Sequence, residues 1–175
     1  NVVACLHEQA AGIAAEAYGR IHQSGIGVAM VTTGPGATNV LTPVAGAWIE
    51  SVPMLVVSGQ VKRADMLAGA PLRQKGVQEV DIIGMVGGIT KYAKTITDVS
   101  EVRFELEKAL YCAKEGRGVP VWLDVPLDVQ GAPVDPLGLK GFEPPIEAAS
   151  YQDASDPTVA LIELLDQAER PLIIA

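Results

Sequence analysis

Four stretches of the chain consist almost entirely of apolar residues and are short enough to be β-strands. They are residues 2–6, 26–31, 53–57 and 121–125. The apolar residues run continuously instead of alternating with polar ones, which is typical of parallel strands that are buried on both faces. The pattern therefore predicts a parallel sheet in which each of these runs is one strand.

Helical periodicity occupies the stretches between most of these strands. Predicted helices cover residues 8–22, 37–49 and 157–168, with a shorter one near residues 78–86 inside a long loop. A further helix is the best marked, because Asp98 and Glu101 have capping-box spacing at its start and Gly116 follows its end. This alternation of strands and helices predicts an open, doubly wound α/β fold, which binds ligands beyond the carboxyl ends of its strands.

The apolar pattern stops near residue 130, and the following stretch is rich in proline and lacks any period. We therefore predict a domain over residues 1–129, a linker over residues 130–156 and the start of a second domain over residues 157–175. The chain opens on one predicted strand and closes on another apolar run, residues 172–175. We accordingly expect it to be an internal piece of a longer polypeptide.

Composition narrows the classes of function. The 175 residues carry a formal charge of −8, and no cluster of lysine and arginine is available to neutralise phosphates, which disfavours nucleic acid as a partner. No apolar run is long enough to cross a bilayer, so we expect no membrane partner. The acidic composition favours a cytoplasmic protein. The two cysteines, Cys5 and Cys112, lack metal-ligand spacing and are predicted to be buried, reduced thiols.

Two junctions between a strand and a helix could carry chemistry. At one of them, Gly34, Pro35 and Gly36 let the backbone approach a ligand closely, although their spacing matches neither common phosphate-binding loop. At the other, Glu8 follows a predicted strand, where burial would raise its pKa unless the carboxylate is paired. A tight turn for the loop, and a favourable first-turn charge for Glu8, remain open as structural alternatives.

Five short motifs, taken in order, indicate a known family. They are residues 7–11, 33–39, 51–54, 58–60 and 77–81. With them, residues 1–129 resemble the N-terminal pyrimidine-binding domain of thiamine-diphosphate enzymes of the acetolactate synthase type, and residues 157–175 look like the start of the family's middle domain. The resemblance implies that the domain's first strand and helix precede Asn1.

The resemblance also implies roles for particular residues. The glutamate matching Glu8 is the catalytic residue, which hydrogen-bonds N1′ of the cofactor's aminopyrimidine and so promotes removal of the proton from the thiazolium carbon. Pro35, Gly36 and Asn39 match the segment beside the pyrimidine ring, and Gln78 matches a glutamine that faces the substrate. No residue of this segment matches a metal ligand, since the diphosphate and Mg2+ are held by a C-terminal domain outside it.

The implied reaction is carboligation or decarboxylation of a 2-keto acid, in an enzyme whose site is completed by the C-terminal domain of a neighbouring subunit. A homodimer or homotetramer is therefore expected, the segment alone is expected to be inactive, and FAD, which some relatives bind, stays undecided. Val77 stands where acetolactate synthases commonly carry phenylalanine, which leaves pyruvate or another 2-keto acid or acyl compound open as the substrate.

Two other interpretations stay open at this point. One is a stand-alone thiamine-diphosphate-binding subunit, or a noncatalytic module, that requires a separate partner chain. The other is an unrelated flavin- or nucleotide-binding domain, which depends on the α/β pattern alone.

Overall fold

A computed structural model describes residues 2–22, 25–145 and 157–172. In chain order the elements are α1 (Glu8–Ile21), β1 (Gly27–Val31), α2 (Pro35–Thr38), α3 (Leu41–Glu50), β2 (Met54–Gln60), α4 (Ile82–Val86), β3 (Tyr92–Thr95), α5 (Val102–Lys114), β4 (Pro120–Pro126), α6 (Leu127–Gln130) and α7 (Pro157–Gln167). Short 3-10 turns cover Arg63–Asp65 and Val99–Glu101.

The four strands form one parallel sheet in the order β1-β2-β4-β3. Successive residues of the central strands face opposite layers: Met54, Val56 and Trp122 pack with α1, α3 and α4, whereas Leu55, Val121 and Leu123 pack with α5. Both faces of β2 and β4 are therefore buried, which explains their continuous apolar sequences. The predicted α/β fold with a parallel sheet is confirmed.

The edge strand β1 departs from the expected burial. Val28 and Met30 are 53% and 73% exposed, because α5 packs over β2, β3 and β4 and leaves this face of β1 open. A continuous apolar run therefore indicates two buried faces for the central strands β2 and β4. It does not do so for the edge strand β1, which has one exposed face.

The prediction of a strand over residues 2–6 is wrong. The structure assigns neither helix nor strand there, and Val2 and Leu6 are almost fully exposed. Cys5 is exposed as well, so it is not the buried thiol that was expected. A strand needs a hydrogen-bonded neighbour, and the sheet pairs β1 with β2 alone among the described residues.

The strand β3 was not predicted. Its sequence includes the exposed Lys94 and the half-buried Thr95, so it lacks the continuous apolar run that marked β2 and β4. It is short and lies at the other edge of the sheet, where it pairs with β4.

The helix predicted over residues 37–49 is broken in two. The first part, α2, ends at Thr38, and α3 begins at Leu41. Pro43 lies in the first turn of α3 and has no N–H to donate to the carbonyl of Asn39, so a continuous helix would lose that hydrogen bond. The break leaves Asn39 at the end of α2.

The predicted start of α5 is confirmed in a modified form. Asp98 accepts a hydrogen bond from the backbone N–H of Ser100 at 2.8 Å, which caps a 3-10 turn that leads into the helix. Glu101 closes that turn as the residue before α5. The helix ends at Lys114, and Gly116 follows in the left-handed conformation with φ +60°.

The described residues up to 144 form one compact unit, and those from 145 onward belong to a second one. The first unit includes the segment after α6, because Phe142 packs against Phe104 and Tyr111 and its N–H donates to Glu107 Oε2 at 2.7 Å. In the second unit, the helix predicted from residue 157 is present as α7. Residues 146–156 of the predicted linker and residues 173–175 of the last apolar run lie outside the described residues, and the division at 129 and 156 stays a prediction.

No helix among the described residues is both long and apolar enough to cross a membrane.

Candidate functional site

The site is built at the edge of the sheet where the parallel strands end, since all their carboxyl ends point to one side. The glycine-rich loop follows β1, and the long loop of residues 61–81 follows β2. Helix α1 packs along β1 and precedes it in the chain. Its first residue, Glu8, lies at this edge, because its carboxylate contacts Asn39 just after the glycine-rich loop.

Glu8 and Asn39 are joined by a hydrogen bond across 31 residues of sequence. Asn39 Nδ2 donates to Glu8 Oε2 at 3.0 Å. This amide, followed by the backbone N–H of Glu8 itself, lowers the pKa of the Glu8 carboxyl. The raised pKa was expected for an unpaired carboxylate in a buried place, and the structure instead shows a paired and half-exposed one.

Pro35 and Gly36 shape the surroundings of this pair. The carbonyl of Pro35 accepts the backbone N–H of Asn39 at 3.1 Å, which holds Asn39 at the end of α2. Gly36 is buried, and a Cβ added there would lie 3.4 Å from Glu8 Oε1 and 2.6 Å from Thr32 Cγ2. A glycine at this position therefore adds no side chain beside the second oxygen of Glu8.

The backbone of Gln78 packs against the glycine-rich loop at the same edge of the sheet. Gly34 has φ +59°, and a Cβ added there would lie only 2.0 Å from the carbonyl oxygen of Gln78. Gln78 itself has φ +61°, which is unusual for a residue with a side chain, and it is exposed. The structure thus brings the predicted site residues to one edge. Glu8 is hydrogen-bonded to Asn39, which Pro35 holds in turn, Gly36 lies beside Glu8, and Gln78 packs against Gly34.

Glu79, which follows Gln78, holds the long loop in place. Its Oε1 accepts the N–H of Leu67 at 2.6 Å, and its Oε2 accepts those of Lys75 and Gly76 at 3.0 and 2.9 Å. Burial alone would raise the pKa of this carboxyl, but the three backbone donors outweigh it and lower the pKa. The ionised form of Glu79 therefore stabilises the loop that carries Gln78.

We expect Glu79→Gln to destabilise the protein at pH 7 by about 1 kcal/mol, because one side-chain oxygen is replaced by a donor that faces backbone N–H groups. A carboxyl with a lowered pKa contributes stability above its ordinary value of 4.5, and this contribution is lost as the pH falls through the folded-state pKa. Thermal unfolding measured from pH 7 to pH 3 should therefore show a higher thermal midpoint for the wild type than for the variant, and this difference should disappear in acid. The exposed Glu143→Gln is the control, and a difference that widened in acid would contradict this role.

Sequence reasoning missed a buried polar cluster beneath the site. Asp124 of β4 is 1% exposed and accepts from Ser58 Oγ at 2.5 Å, Gln60 Nε2 at 3.0 Å and Thr95 Oγ1 at 3.3 Å. Burial raises the pKa of Asp124, although the three hydrogen bonds oppose that shift. The available signal was a single carboxylate within the apolar run 121–125, since a charged residue is rarely buried without partners.

In the parts of the chain that the structure describes, no three histidine, cysteine, aspartate or glutamate side chains are grouped so that they could hold a metal ion.

Comparison with known proteins agrees with the architecture. Residues 1–85 match the family described as "Thiamine pyrophosphate enzyme, N-terminal TPP binding domain". The chain is 36% identical to the acetolactate synthase large subunit of Corynebacterium glutamicum and 35% identical to that of Lactococcus lactis, over 95% and 97% of its length. It is also 35% identical to the mitochondrial acetolactate synthase of Schizosaccharomyces pombe over 95% of its length.

The chain spans about a quarter of the length of these relatives: 26% of the Corynebacterium protein, 28% of the Lactococcus protein and 25% of the Schizosaccharomyces protein.

Proposed function

We propose, since residues 1–85 match the N-terminal TPP-binding domain of thiamine pyrophosphate enzymes, that this chain is the aminopyrimidine-binding part of a thiamine-diphosphate-dependent carboligase or decarboxylase. Its substrate would be a 2-keto acid, as for an acetolactate synthase. The observation that carries the proposal is the contact of Glu8 with Asn39 beside Gly36, at the carboxyl edge of the sheet. Identity to acetolactate synthases along most of the chain supports the same conclusion.

The residues present fit an aminopyrimidine. Such a ring offers nitrogen acceptors and an exocyclic amino donor, and Glu8 with Asn39 offers a carboxylate and a carboxamide that can meet both kinds of group. Gly36 adds no side chain beside Glu8 Oε1, so a flat ring can approach that oxygen. Glu8, Pro35, Gly36 and Asn39 would form the pyrimidine side of the cofactor site.

Thiamine diphosphate, when bound, supplies a thiazolium carbon that can lose a proton and then react with a carbonyl group. The task of Glu8 would be to hold and return a proton at Oε1, the oxygen that does not bond to Asn39. Asn39 fixes the orientation of the carboxylate through the other oxygen. Displacement of water from Glu8 by the bound ring would raise its pKa from the lowered value toward one that suits proton exchange near neutral pH.

Gln78 would face the substrate, with Val77 beside it in the chain. Val77 is 83% exposed, so its side chain is free to contact a bound molecule. Valine is smaller than the phenylalanine expected from the resemblance, which leaves room for a 2-keto acid or acyl compound bulkier than pyruvate.

The diphosphate and its Mg2+ would be held by a C-terminal domain of a neighbouring subunit in a cytoplasmic homodimer or homotetramer. An additional FAD is compatible with the proposal and is not required for it.

Calorimetric titration of the intact polypeptide with thiamine diphosphate and Mg2+, followed by CO2 release from a panel of 2-keto acids, tests the proposal. We expect saturable cofactor binding and cofactor-dependent turnover of at least one 2-keto acid. Absence of both would overturn the proposal. Binding without turnover of any acid would also overturn it, in favour of a noncatalytic cofactor-binding module.

A further inference from the structure

The buried cluster beneath the site is centred on the side-chain amide of Gln60, the last residue of β2. Its Nε2 donates to the carbonyl of Val80 at 3.1 Å and to Asp124 Oδ2 at 3.0 Å. Its Oε1 accepts the hydroxyl of Thr33 at 3.2 Å and the N–H of Val61 at 2.9 Å. Both donors and both acceptor positions of the amide are therefore in use.

These partners belong to the two segments that meet at the site. Thr33 directly precedes Gly34 of the glycine-rich loop, and Val80 lies two residues after Gln78. The two segments also touch each other where Gly34 packs on the carbonyl of Gln78. Gln60 thus hydrogen-bonds to both of the segments that form this contact, through Thr33 and Val80. At 6% exposure it is shielded from solvent.

Asp124 determines which way the Gln60 amide faces. Rotating the amide by 180° would place its oxygen against both the Asp124 carboxylate and the Val80 carbonyl, and its nitrogen against the N–H of Val61. Asp124 is in turn held by Ser58, whose hydroxyl also accepts the indole N–H of the fully buried Trp122 at 2.8 Å. One orientation of the amide satisfies every member of the cluster.

We propose that Gln60, with its amide oriented by Asp124, is a positioning residue that sets the separation between the glycine-rich loop (residues 32–36) and the segment of residues 77–81. It acts on the cofactor side of the site through Thr33 and on the substrate side through Val80. Calling one side the cofactor side and the other the substrate side rests on the proposed function. The coupling of the two segments through Gln60 does not depend on that function.

Three variants of the intact polypeptide test this role. Gln60→Glu keeps the shape of the side chain but replaces its donor by an oxygen that faces Asp124 and the Val80 carbonyl. Asp124→Asn should act in the same direction, because one amide oxygen cannot replace both oxygens of the carboxylate. Thr33→Val removes a single hydroxyl from a half-buried position, so it tests one side of the link with little risk to folding.

Amide hydrogen exchange followed by mass spectrometry is the first measurement, on peptides that cover residues 32–40 and 74–82. We expect Gln60→Glu to speed exchange in both peptides by about tenfold or more, and Thr33→Val to speed it in the first peptide alone. Tyr92→Phe is the matched control, because it removes a hydrogen bond to the buried Glu105 from the start of β3, at the opposite edge of the sheet. It should leave both peptides unchanged.

The second measurement separates positioning from a merely structural role. For Gln60→Glu we expect the Kd for thiamine diphosphate and the KM for the 2-keto acid both to rise, with kcat/KM falling by about 10²-fold, since an error of about 1 Å in position can cost that much. Tyr92→Phe should alter the thermal midpoint and neither binding constant.

Two outcomes would overturn the proposal. One is exchange that rises uniformly over the whole sheet in Gln60→Glu and Asp124→Asn, and the other is faster exchange confined to one peptide in Gln60→Glu. Failure of the wild type to bind thiamine diphosphate would reject the proposed function instead, and the exchange pattern would still decide whether Gln60 couples the two segments.

Discussion

Glu8→Gln in the intact protein should lower kcat with a 2-keto acid by about 10²- to 10⁴-fold, the range in which general acid–base groups contribute. Glutamine has nearly the same shape, and its side-chain oxygen can still accept the hydrogen bond from Asn39. It cannot take up or release a proton at the position of Oε1, beside Gly36. The expected defect is therefore in turnover and not in folding.

Steady-state kinetics, cofactor titration and thermal unfolding of the same preparation check this expectation. Glu16→Gln is the control, since Glu16 lies on the same helix and its carboxylate pairs with Arg20 on the helix surface. That variant should retain wild-type kcat. Turnover of the true substrate at the wild-type rate by Glu8→Gln would show that Glu8 has no proton-transfer role.

Gly34→Ala should be the most damaging small substitution at the site, because it combines two separate penalties. At φ +59° any residue with a Cβ is strained by about 1–2 kcal/mol. The added carbon would also lie 2.0 Å from the Gln78 carbonyl oxygen, so the backbone of one segment must move, and overpacking of this kind costs about 1–3 kcal/mol more. We expect a loss of about 2–5 kcal/mol in unfolding free energy, with kcat/KM reduced by about 10²-fold.

Gly116→Ala isolates the backbone penalty. Gly116 has φ +60° and nothing within 4 Å of an added Cβ, so its substitution should cost the strain alone and leave kcat/KM unchanged. Denaturant unfolding and kinetics of the two variants give the comparison. Equal losses of stability and activity in both would mean that the contact between Gly34 and Gln78 does not matter for the site.

Much of the fold could be inferred from the sequence, because it depends on patterns within single segments of the chain. The runs that became β2 and β4 are apolar, apart from Asp124, because both faces of these strands are covered. The cap at Asp98 acts within two residues of its own position, so it was visible in the sequence. Candidate residues such as Glu8 and Asn39 were identified from ordered motifs, and their roles remain predictions.

Features that depend on distant partners could not be inferred in this way. Residues 2–6 have the composition of a strand, yet a strand exists only when another strand pairs with it. The lowered pKa of Glu8 depends on an amide 31 residues away. Asp124 was passed over because its partners, among them Ser58 and Gln60, come from a neighbouring strand more than 60 residues earlier.

The sequence by itself determined which segments form the central strands of the sheet and which form the main helices. It also determined that the strands are parallel and which loops lie at their carboxyl ends. These features follow from periodicity, turn residues and the connection of each strand to the next through a helix. The tertiary structure alone decided that Glu8 is paired, that Gly34 packs on Gln78 and that Gln60 links both sides of the site. Such contacts join residues that are far apart in the chain, so their geometry exists only once the sheet has brought them together.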